Sequence, residues 1–153
     1  MEKLDQYYMD KTLEIAKASL KFNEVPVGAL IVKDESIISS AYNTKVKSNN
    51  PLGHAEINAI HEAVNNTGNL YLNGLTMYVT LEPCIMCAGA ILLARISRLV
   101  IGCLDEKTGA FGSLYDFSED KRLNHKIEVL RNIREEECSR LLKDFFKKLR
   151  GYH

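Results

Sequence analysis

Two short strings in the sequence contain residue types that bind transition metals. His54 stands two residues before Glu56, and further along the chain Pro83 precedes Cys84 and Cys87. If the second string begins a helix, its two cysteines lie on one face a turn apart and can hold one ion. The start of a helix also favours ionised thiolates. One histidine and two cysteines are ligand types that zinc prefers, so the sequence predicts a zinc site.

The number of ligands indicates a catalytic site. Three protein ligands leave one position of a tetrahedral zinc open for water, and zinc lowers the pKa of such a water to about 7. Glu56 lies close to His54 and is expected to take the proton from that water and return it to a substrate. The alternatives are a structural zinc, which would need a fourth protein ligand, and a solvated helix-face carboxylate at Glu56.

Length and composition set the remaining bounds. The chain has 153 residues, a length that favours a single domain spanning residues 1–153. Its 20 basic and 20 acidic residues do not by themselves indicate a nucleic-acid binder. The charged N-terminus lacks the apolar core of a signal peptide, and no run of about 18 apolar residues occurs. We therefore expect a cytoplasmic protein without membrane association, in which Cys103 and Cys138 are reduced core residues.

The hydrophobic pattern predicts strands that alternate with helices. The expected helices cover residues 2–22, 55–66, 84–95 and 133–149, and the expected strands cover 27–33, 36–42, 75–81, 98–104 and 127–130. The first two strands form a hairpin through Asp34 and Glu35, and residues 43–53 form a surface loop. This alternation implies an α/β domain with a sheet covered on both faces, and each metal-binding string lies at the start of a helix.

Beyond these two strings, the sequence resembles the bacterial tRNA adenosine deaminases of the cytidine/deoxycytidylate deaminase superfamily. H-x-E followed by P-C-x-x-C is the signature of zinc-dependent base deaminases. The similarity runs in order along nearly the whole chain, over residues 24–29, 54–57, 80–90, 107–110, 112–114, 123–125 and 137–146. It implies a cytidine deaminase-like α/β/α sandwich of three layers, with a central mixed sheet of about five strands. It also implies a homodimer that converts adenosine to inosine at the wobble position of a tRNA anticodon stem-loop.

The resemblance also implies substrate-binding roles for six residues: Pro26, Val27, Asn43, Asp105, Asn124 and Phe146. Asn43 would hydrogen-bond the target nucleoside, and Asp105 would contact the flanking nucleotide. The two residues of the first strand would line the base pocket, and the last two would contact the RNA. Without the resemblance, Asn43 and Asp105 are ordinary turn or cap residues. Pro26 and Val27 are then plain strand residues, and Phe146 is a candidate for the core.

Three questions stay open at the level of sequence. The basic residues near the C-terminus form either a solvated helix face or a surface that binds RNA phosphates: Lys143, Lys147, Lys148 and Arg150. The apolar residues of the helix over 84–95 exceed what one small domain needs, and they predict a dimer contact: Ile85, Met86, Ile91, Leu92 and Leu93. The alternative functions are a deaminase of free guanine, cytosine or a nucleoside, and a zinc-stabilised interaction module without turnover.

Overall fold

The computed structural model describes residues 1–151, so the last two residues of the domain predicted over 1–153 lie outside the described residues. Within that range, strands and α-helices alternate as the sequence predicts. The helices are α1 (Glu2–Ala18), α2 (Ala55–Thr67), α3 (Ile85–Leu93) and α4 (Glu135–Leu149). The strands are β1 (Gly28–Lys33), β2 (Ser36–Tyr42), β3 (Thr76–Leu81), β4 (Arg98–Cys103) and β5 (Glu128–Leu130).

The strands form one mixed sheet in the order β2-β1-β3-β4-β5. Strand β1 pairs antiparallel with both β2 and β3, whereas β3, β4 and β5 run parallel. The predicted hairpin turns at Asp34 and Glu35, whose φ angles of 48° and 64° suit a two-residue turn that matches the twist of the strands. The expectation of a mixed sheet of about five strands is confirmed.

Helices cover both faces of this sheet. Gly28 in β1 faces α1 so closely that a Cβ there would collide with the helix backbone. On the same face of the sheet, Gly102 in β4 faces the sulfur of Cys138 on α4. On the opposite face, the hydroxyl of Ser39 donates to the carbonyl oxygen of Ala59 in α2 at 2.8 Å. Since side chains alternate across a strand, α1 and α4 lie on one face and α2 on the other, with α3 packed beside α2. The three-layer sandwich is therefore confirmed.

A buried ion pair fastens α1 to the sheet. The guanidinium of Arg98 donates two hydrogen bonds of 2.7 Å to the carboxylate of Asp5, and the hydroxyl of Tyr78 donates a third of 2.7 Å. Burial alone would raise the pKa of Asp5, but these hydrogen bonds outweigh it and hold the pKa below its ordinary value of 3.8. Helix α1 is thus tied to β3 and β4 by one carboxylate.

Some element ends differ from the predictions. The first helix ends at Ala18 and continues as a 3₁₀ turn over Ser19–Phe22. Helix α3 is shorter than predicted because Cys84 is still extended and Arg95 is left-handed, with a φ of 64°. Helix α4 begins later than predicted because Arg134 adopts a φ of 60°. No helix within residues 1–151 combines the length and the apolar character needed to cross a membrane.

The two isolated cysteines belong to the core, as predicted. Cys103 is 5% exposed and Cys138 is 1% exposed, and both lie among the apolar residues between the sheet and α4. Burial raises the pKa of the Cys103 thiol to about 11. A thiol that is buried and protonated at neutral pH is a poor metal ligand and a poor nucleophile.

Candidate active site

The predicted ligands meet where two helices begin. His54 is the N-cap of α2 and Cys84 the N-cap of α3, both with extended backbones, and Cys87 lies in the first turn of α3. The two helices pack side by side, so their N-termini are neighbours. The Nδ1 atom of His54 lies 3.7 Å from the sulfur of Cys84 and 3.4 Å from that of Cys87. The histidine thus stands one residue before the helix, at its start as predicted.

These distances fit a zinc ion. A tetrahedral zinc with a Zn–N bond of about 2.0–2.1 Å and a Zn–S bond of about 2.3 Å places such a nitrogen and sulfur about 3.6 Å apart. The three ligand atoms all lie within 4.8 Å of one another, and the group contains no fourth candidate side chain among residues 1–151. Three ligands without a fourth are the donor set of a catalytic zinc site.

The two thiols differ in acidity. Interaction with the Cys87 thiol, together with a smaller contribution from His54, lowers the pKa of Cys84 to about 3. The same contact raises the pKa of Cys87, as does burial. The pKa of His54 is raised, chiefly by its hydrogen bond with Cys84. The site therefore already favours one thiolate, and a coordinated metal deprotonates a ligating thiol outright.

Glu56 lies in the same cavity as the ligands. Its side chain is on the first turn of α2, it is only 4% exposed, and it helps to line a cavity of about 150 Å³ together with His54 and Cys84. Burial raises the pKa of Glu56 to about 7, against the lowering effect of a backbone hydrogen bond and of His54. Glu56 is therefore not a solvated helix-face carboxylate.

Three of the predicted substrate residues line this cavity, namely Val27, Asn43 and Asp105. Pro26 is buried but is not among the lining residues, and Val25 lines the cavity where Pro26 was expected to. The amide nitrogen of Asn43 donates to the carbonyl oxygen of Val25 at 3.1 Å. The lining residues that sequence reasoning did not single out are Val25, Lys45, Leu81, Glu82 and Thr108.

Two buried carboxylates anchor the loops beside the cavity, and sequence reasoning missed both. Glu24, which is 1% exposed, accepts hydrogen bonds from the backbone N–H groups of Val46 and Lys47 at 3.1 and 2.6 Å. Glu82, which is 2% exposed, accepts hydrogen bonds from the loop that follows β4. The available signal was a glutamate that stands next to an apolar residue and within two residues of a proline, close to a strand.

The other two predicted RNA contacts lie in separate cavities. Asn124 lines a cavity of about 390 Å³ beside α3, next to Tyr71 and Leu93. Phe146 lines a groove of about 400 Å³ on α4, together with Lys107 and Lys143. Lys107 lies in the same loop as the cavity-lining Asp105, whereas Asn124 is not among the residues that line that cavity.

Comparisons with known proteins agree with this geometry. Residues 2–103 match the family model for the cytidine and deoxycytidylate deaminase zinc-binding region. The tRNA-specific adenosine deaminase of Haemophilus influenzae is 46% identical over 95% of this chain and 85% of its own length. The enzyme of the same name from Bacillus subtilis is 41% identical over 95% of this chain and 91% of its own length.

A solved structure extends the likeness to three dimensions. It comes from studies of A-to-I editing by tRNA:A34 deaminases at the wobble position of transfer RNA. It superposes with a TM-score of 0.85 at 38% identity, covering 89% of this chain and 99% of the other. The chain belongs to the cytidine and deoxycytidylate deaminase family, and within it to the group of the tRNA-specific adenosine deaminases.

Proposed function

We propose that this protein is a zinc-dependent hydrolase that converts adenosine to inosine at the wobble position of a tRNA anticodon. The observation that carries the proposal is the placement of Glu56 in one cavity with His54, Cys84 and Cys87, at ligand distances that fit zinc. The near full-length similarity to tRNA-specific adenosine deaminases supports the substrate. A tRNA substrate also supports a cytoplasmic location for the enzyme.

The chemistry follows from the side chains of the cavity. His54, Cys84 and Cys87 would hold zinc, which when bound supplies a Lewis acid that makes water a nucleophile at neutral pH. Glu56 accepts the proton that the attacking water gives up. The water oxygen forms a bond to C6 of adenine, and Glu56 delivers the proton that it accepted to the ring nitrogen. Glu56 then takes a second proton from the new C6 hydroxyl and delivers it to the leaving amine, so that a carbonyl forms at C6. The C6–N bond breaks, ammonia leaves, and the base becomes hypoxanthine.

The rest of the cavity orients the base. Asn43 has a second amide hydrogen with no partner among the contacts in residues 1–151, and this hydrogen is available to the nucleoside. Val25 and Val27 supply apolar surface for the ring. An adenosine in an anticodon loop can be turned into such a cavity at little cost, which a base in a duplex cannot.

The test compares substrates under one set of conditions. Purified zinc-loaded protein is incubated with an anticodon stem-loop that carries adenosine at the wobble position, with free adenosine, and with free guanine and cytosine. We expect inosine in the stem-loop by mass spectrometry, at a rate far above that for any free compound. Faster turnover of a free base would assign the protein to the free-base deaminases. Bound zinc without turnover of any substrate would make it an interaction module.

We further propose that two copies associate through the apolar surface beside α3. Leu93 is 78% exposed and Tyr71 is 56% exposed, and both line the cavity that contains Asn124. Ile85 on the same helix is 55% exposed, whereas Ile91, which was predicted to join this contact, is fully buried in the core. Light scattering should give a dimer for the wild-type protein and a monomer for Leu93→Asp. A wild-type monomer at micromolar concentration would contradict this contact.

A further inference from the structure

Glu82 occupies an unusual position for a charged residue. It directly follows β3, and its backbone N–H continues the pairing with β4 by donating to the carbonyl oxygen of Cys103 at 2.9 Å. The next residues are Pro83 and the metal-ligand candidate Cys84. The Glu82 side chain is 2% exposed and lines the catalytic cavity. Within residues 1–151 it forms no ion pair with a lysine, arginine or histidine.

The carboxylate is instead satisfied by a single loop. One oxygen accepts from the backbone N–H of Asp105 at 3.0 Å and from the hydroxyl of Ser113. The other oxygen accepts from the backbone N–H groups of Phe111 and Ser113 at 2.9 and 3.1 Å. All four donors belong to residues 105–113, which we call the catalytic loop. Charge-assisted bonds of this kind are stronger than neutral ones, so the loop is held at both of its ends.

The loop approaches the carboxylate closely and also contacts the metal-ligand segment. A Cβ at Gly109 would lie 2.2 Å from the carboxyl carbon of Glu82, so any larger residue there would displace the carboxylate from its present position. Gly109 also forms an isolated bridge with Cys84, and the backbone N–H of Ala110 donates to the carbonyl oxygen of Pro83 at 2.9 Å. The same loop therefore lies against Glu82 and against the segment that contributes a metal ligand.

The catalytic loop in turn supplies one wall of the cavity. Its residues Asp105 and Thr108 line the cavity, and the carboxylate of Asp105 accepts hydrogen bonds from the hydroxyl of Thr108 at 2.7 Å and from the N–H of Lys107 at 3.1 Å. Both ends of the loop are hydrogen-bonded to the Glu82 carboxylate. The position of Asp105 and Thr108 relative to Cys84 therefore depends on the position of that carboxylate. No donor in the loop reaches Glu56 among the hydrogen bonds of residues 1–151.

We propose that Glu82 is a positioning residue that fixes the catalytic loop, and through it the pose of the substrate nucleotides, without taking part in proton transfer. The effect on substrate binding rests on the proposed function, whereas the role of Glu82 in holding the loop does not. Loss of the Glu82 contacts therefore weakens substrate binding more than it slows the chemical step.

The experiment uses three variants of the full chain loaded with zinc. Glu82→Gln replaces one acceptor oxygen with an NH₂ group, so in either orientation at least one backbone N–H of the loop loses its acceptor. Ser113→Ala removes only the hydroxyl donor and keeps the backbone bond. Glu106→Gln makes the same charge change at an exposed residue of the same loop and is the matched control.

Two measurements are made on each variant. Steady-state kinetics on the anticodon stem-loop should show a KM raised by about tenfold or more in Glu82→Gln and about fivefold in Ser113→Ala, with kcat within threefold of wild type. Hydrogen exchange should accelerate at the amides of Asp105, Phe111 and Ser113 in Glu82→Gln. The control should match wild type in both measurements, and all variants should retain zinc.

The outcomes separate the two proposals. Unchanged exchange at the three loop amides in Glu82→Gln, or a fall in kcat with an unchanged KM, would overturn the positioning role. If Glu82→Gln does not fold, Ser113→Ala must still raise KM and speed exchange near residue 113, and its failure to do so would also overturn the role. A wild-type protein that leaves the stem-loop unmodified would refute the proposed function alone, because the exchange measurement still decides whether Glu82 holds the loop.

Discussion

The side-chain oxygen of Asn43 accepts a hydrogen bond of 2.9 Å from the backbone N–H of Ala55, the first residue of α2. The first N–H groups of a helix have no partner within the helix, and Asn43 supplies one from the end of the neighbouring strand. Because α2 begins beside His54 and contains Glu56, this bond helps to fix a metal-ligand candidate and the proposed proton carrier. Asn43 therefore has a structural function in addition to its proposed contact with the nucleoside.

We predict that Asn43→Ala is less stable than wild type by about 1–2 kcal/mol, since it leaves the Ala55 N–H without its acceptor and removes one of the two donors to the Val25 carbonyl. The melting temperature, followed by circular dichroism, should fall by about 2–8 °C. Asn65→Ala, at an exposed position near the end of α2, should change the free energy of unfolding by less than about 0.5 kcal/mol. Equal melting temperatures for Asn43→Ala and wild type would show that the contact contributes nothing.

The sequence alone predicts most of the fold and the centre of the site, for physical reasons. The turn at Asp34 and Glu35 after an apolar strand locates β2 at its observed bounds, and metal-ligand spacing identifies the cysteine pair. Element ends are harder to predict because they depend on single backbone conformations, such as the left-handed Arg134 that delays α4. Local sequence does not encode that conformation strongly in a residue other than glycine or asparagine.

Contacts between distant segments were the least predictable. Glu24 and Glu82 have charged side chains, and an isolated glutamate is expected on the surface. Their partners lie more than twenty residues away in sequence, so only the folded chain brings them together. Sequence alone also could not place Asn124 and Phe146. Their residue types are compatible with RNA binding, but their positions depend on how α3 and α4 pack.

A pair of substitutions separates metal binding from proton transfer. Cys87→Ala removes one of three ligands and should lose most of its zinc, whereas Glu56→Gln removes no ligand and should retain about one zinc per chain. Both should lose activity on the stem-loop, Glu56→Gln by at least about 10²–10⁴-fold because it cannot exchange the proton. Elemental analysis and mass spectrometry of the RNA provide the two readouts. A Glu56→Gln protein with near wild-type turnover would remove Glu56 from the mechanism.

We predict that the buried pair of Asp5 and Arg98 stabilises the fold in a pH-dependent way. The pKa of Asp5 is lower in the folded protein than its ordinary value, so its carboxylate contributes stability above about pH 4, which is lost as the pH falls through the folded-state pKa. Asp5→Asn takes from the buried guanidinium the carboxylate to which it donates two hydrogen bonds and leaves it the exposed carboxylate of Glu128 at 3.7 Å, so it should cost about 3–5 kcal/mol at pH 7.

Denaturant unfolding at pH 7 and at pH 3 measures this contribution, and the difference between wild type and Asp5→Asn should shrink at the lower pH. Asp10→Asn is the control, because Asp10 on the same helix makes an exposed pair with Arg134 at 2.9 Å that is worth about 0–1 kcal/mol. A difference between wild type and Asp5→Asn that does not change with pH would contradict the assigned pKa direction.

The last prediction decides between the two interpretations of the basic C-terminal residues. Lys143 and Phe146 on α4 share a groove with Lys107 of the catalytic loop, and Asp105 and Thr108 of the same loop line the cavity in which the target base would lie. A phosphate bound by one lysine releases counterions, and the logarithm of the binding constant then falls with the logarithm of salt concentration by about 0.7 per contact on a single strand.

If α4 holds a phosphate, Lys143→Ala should weaken binding of a labelled stem-loop and reduce that slope by about 0.7, as measured by fluorescence anisotropy at several salt concentrations. Phe146→Ala should weaken binding by about 1–3 kcal/mol at every salt concentration and leave the slope unchanged, because stacking on a base involves no counterions. Lys33→Ala, which removes a charge at the exposed hairpin, should match wild type. A slope that Lys143→Ala leaves unchanged would identify the basic residues as a solvated helix face, and the RNA would then have to follow another path away from the cavity.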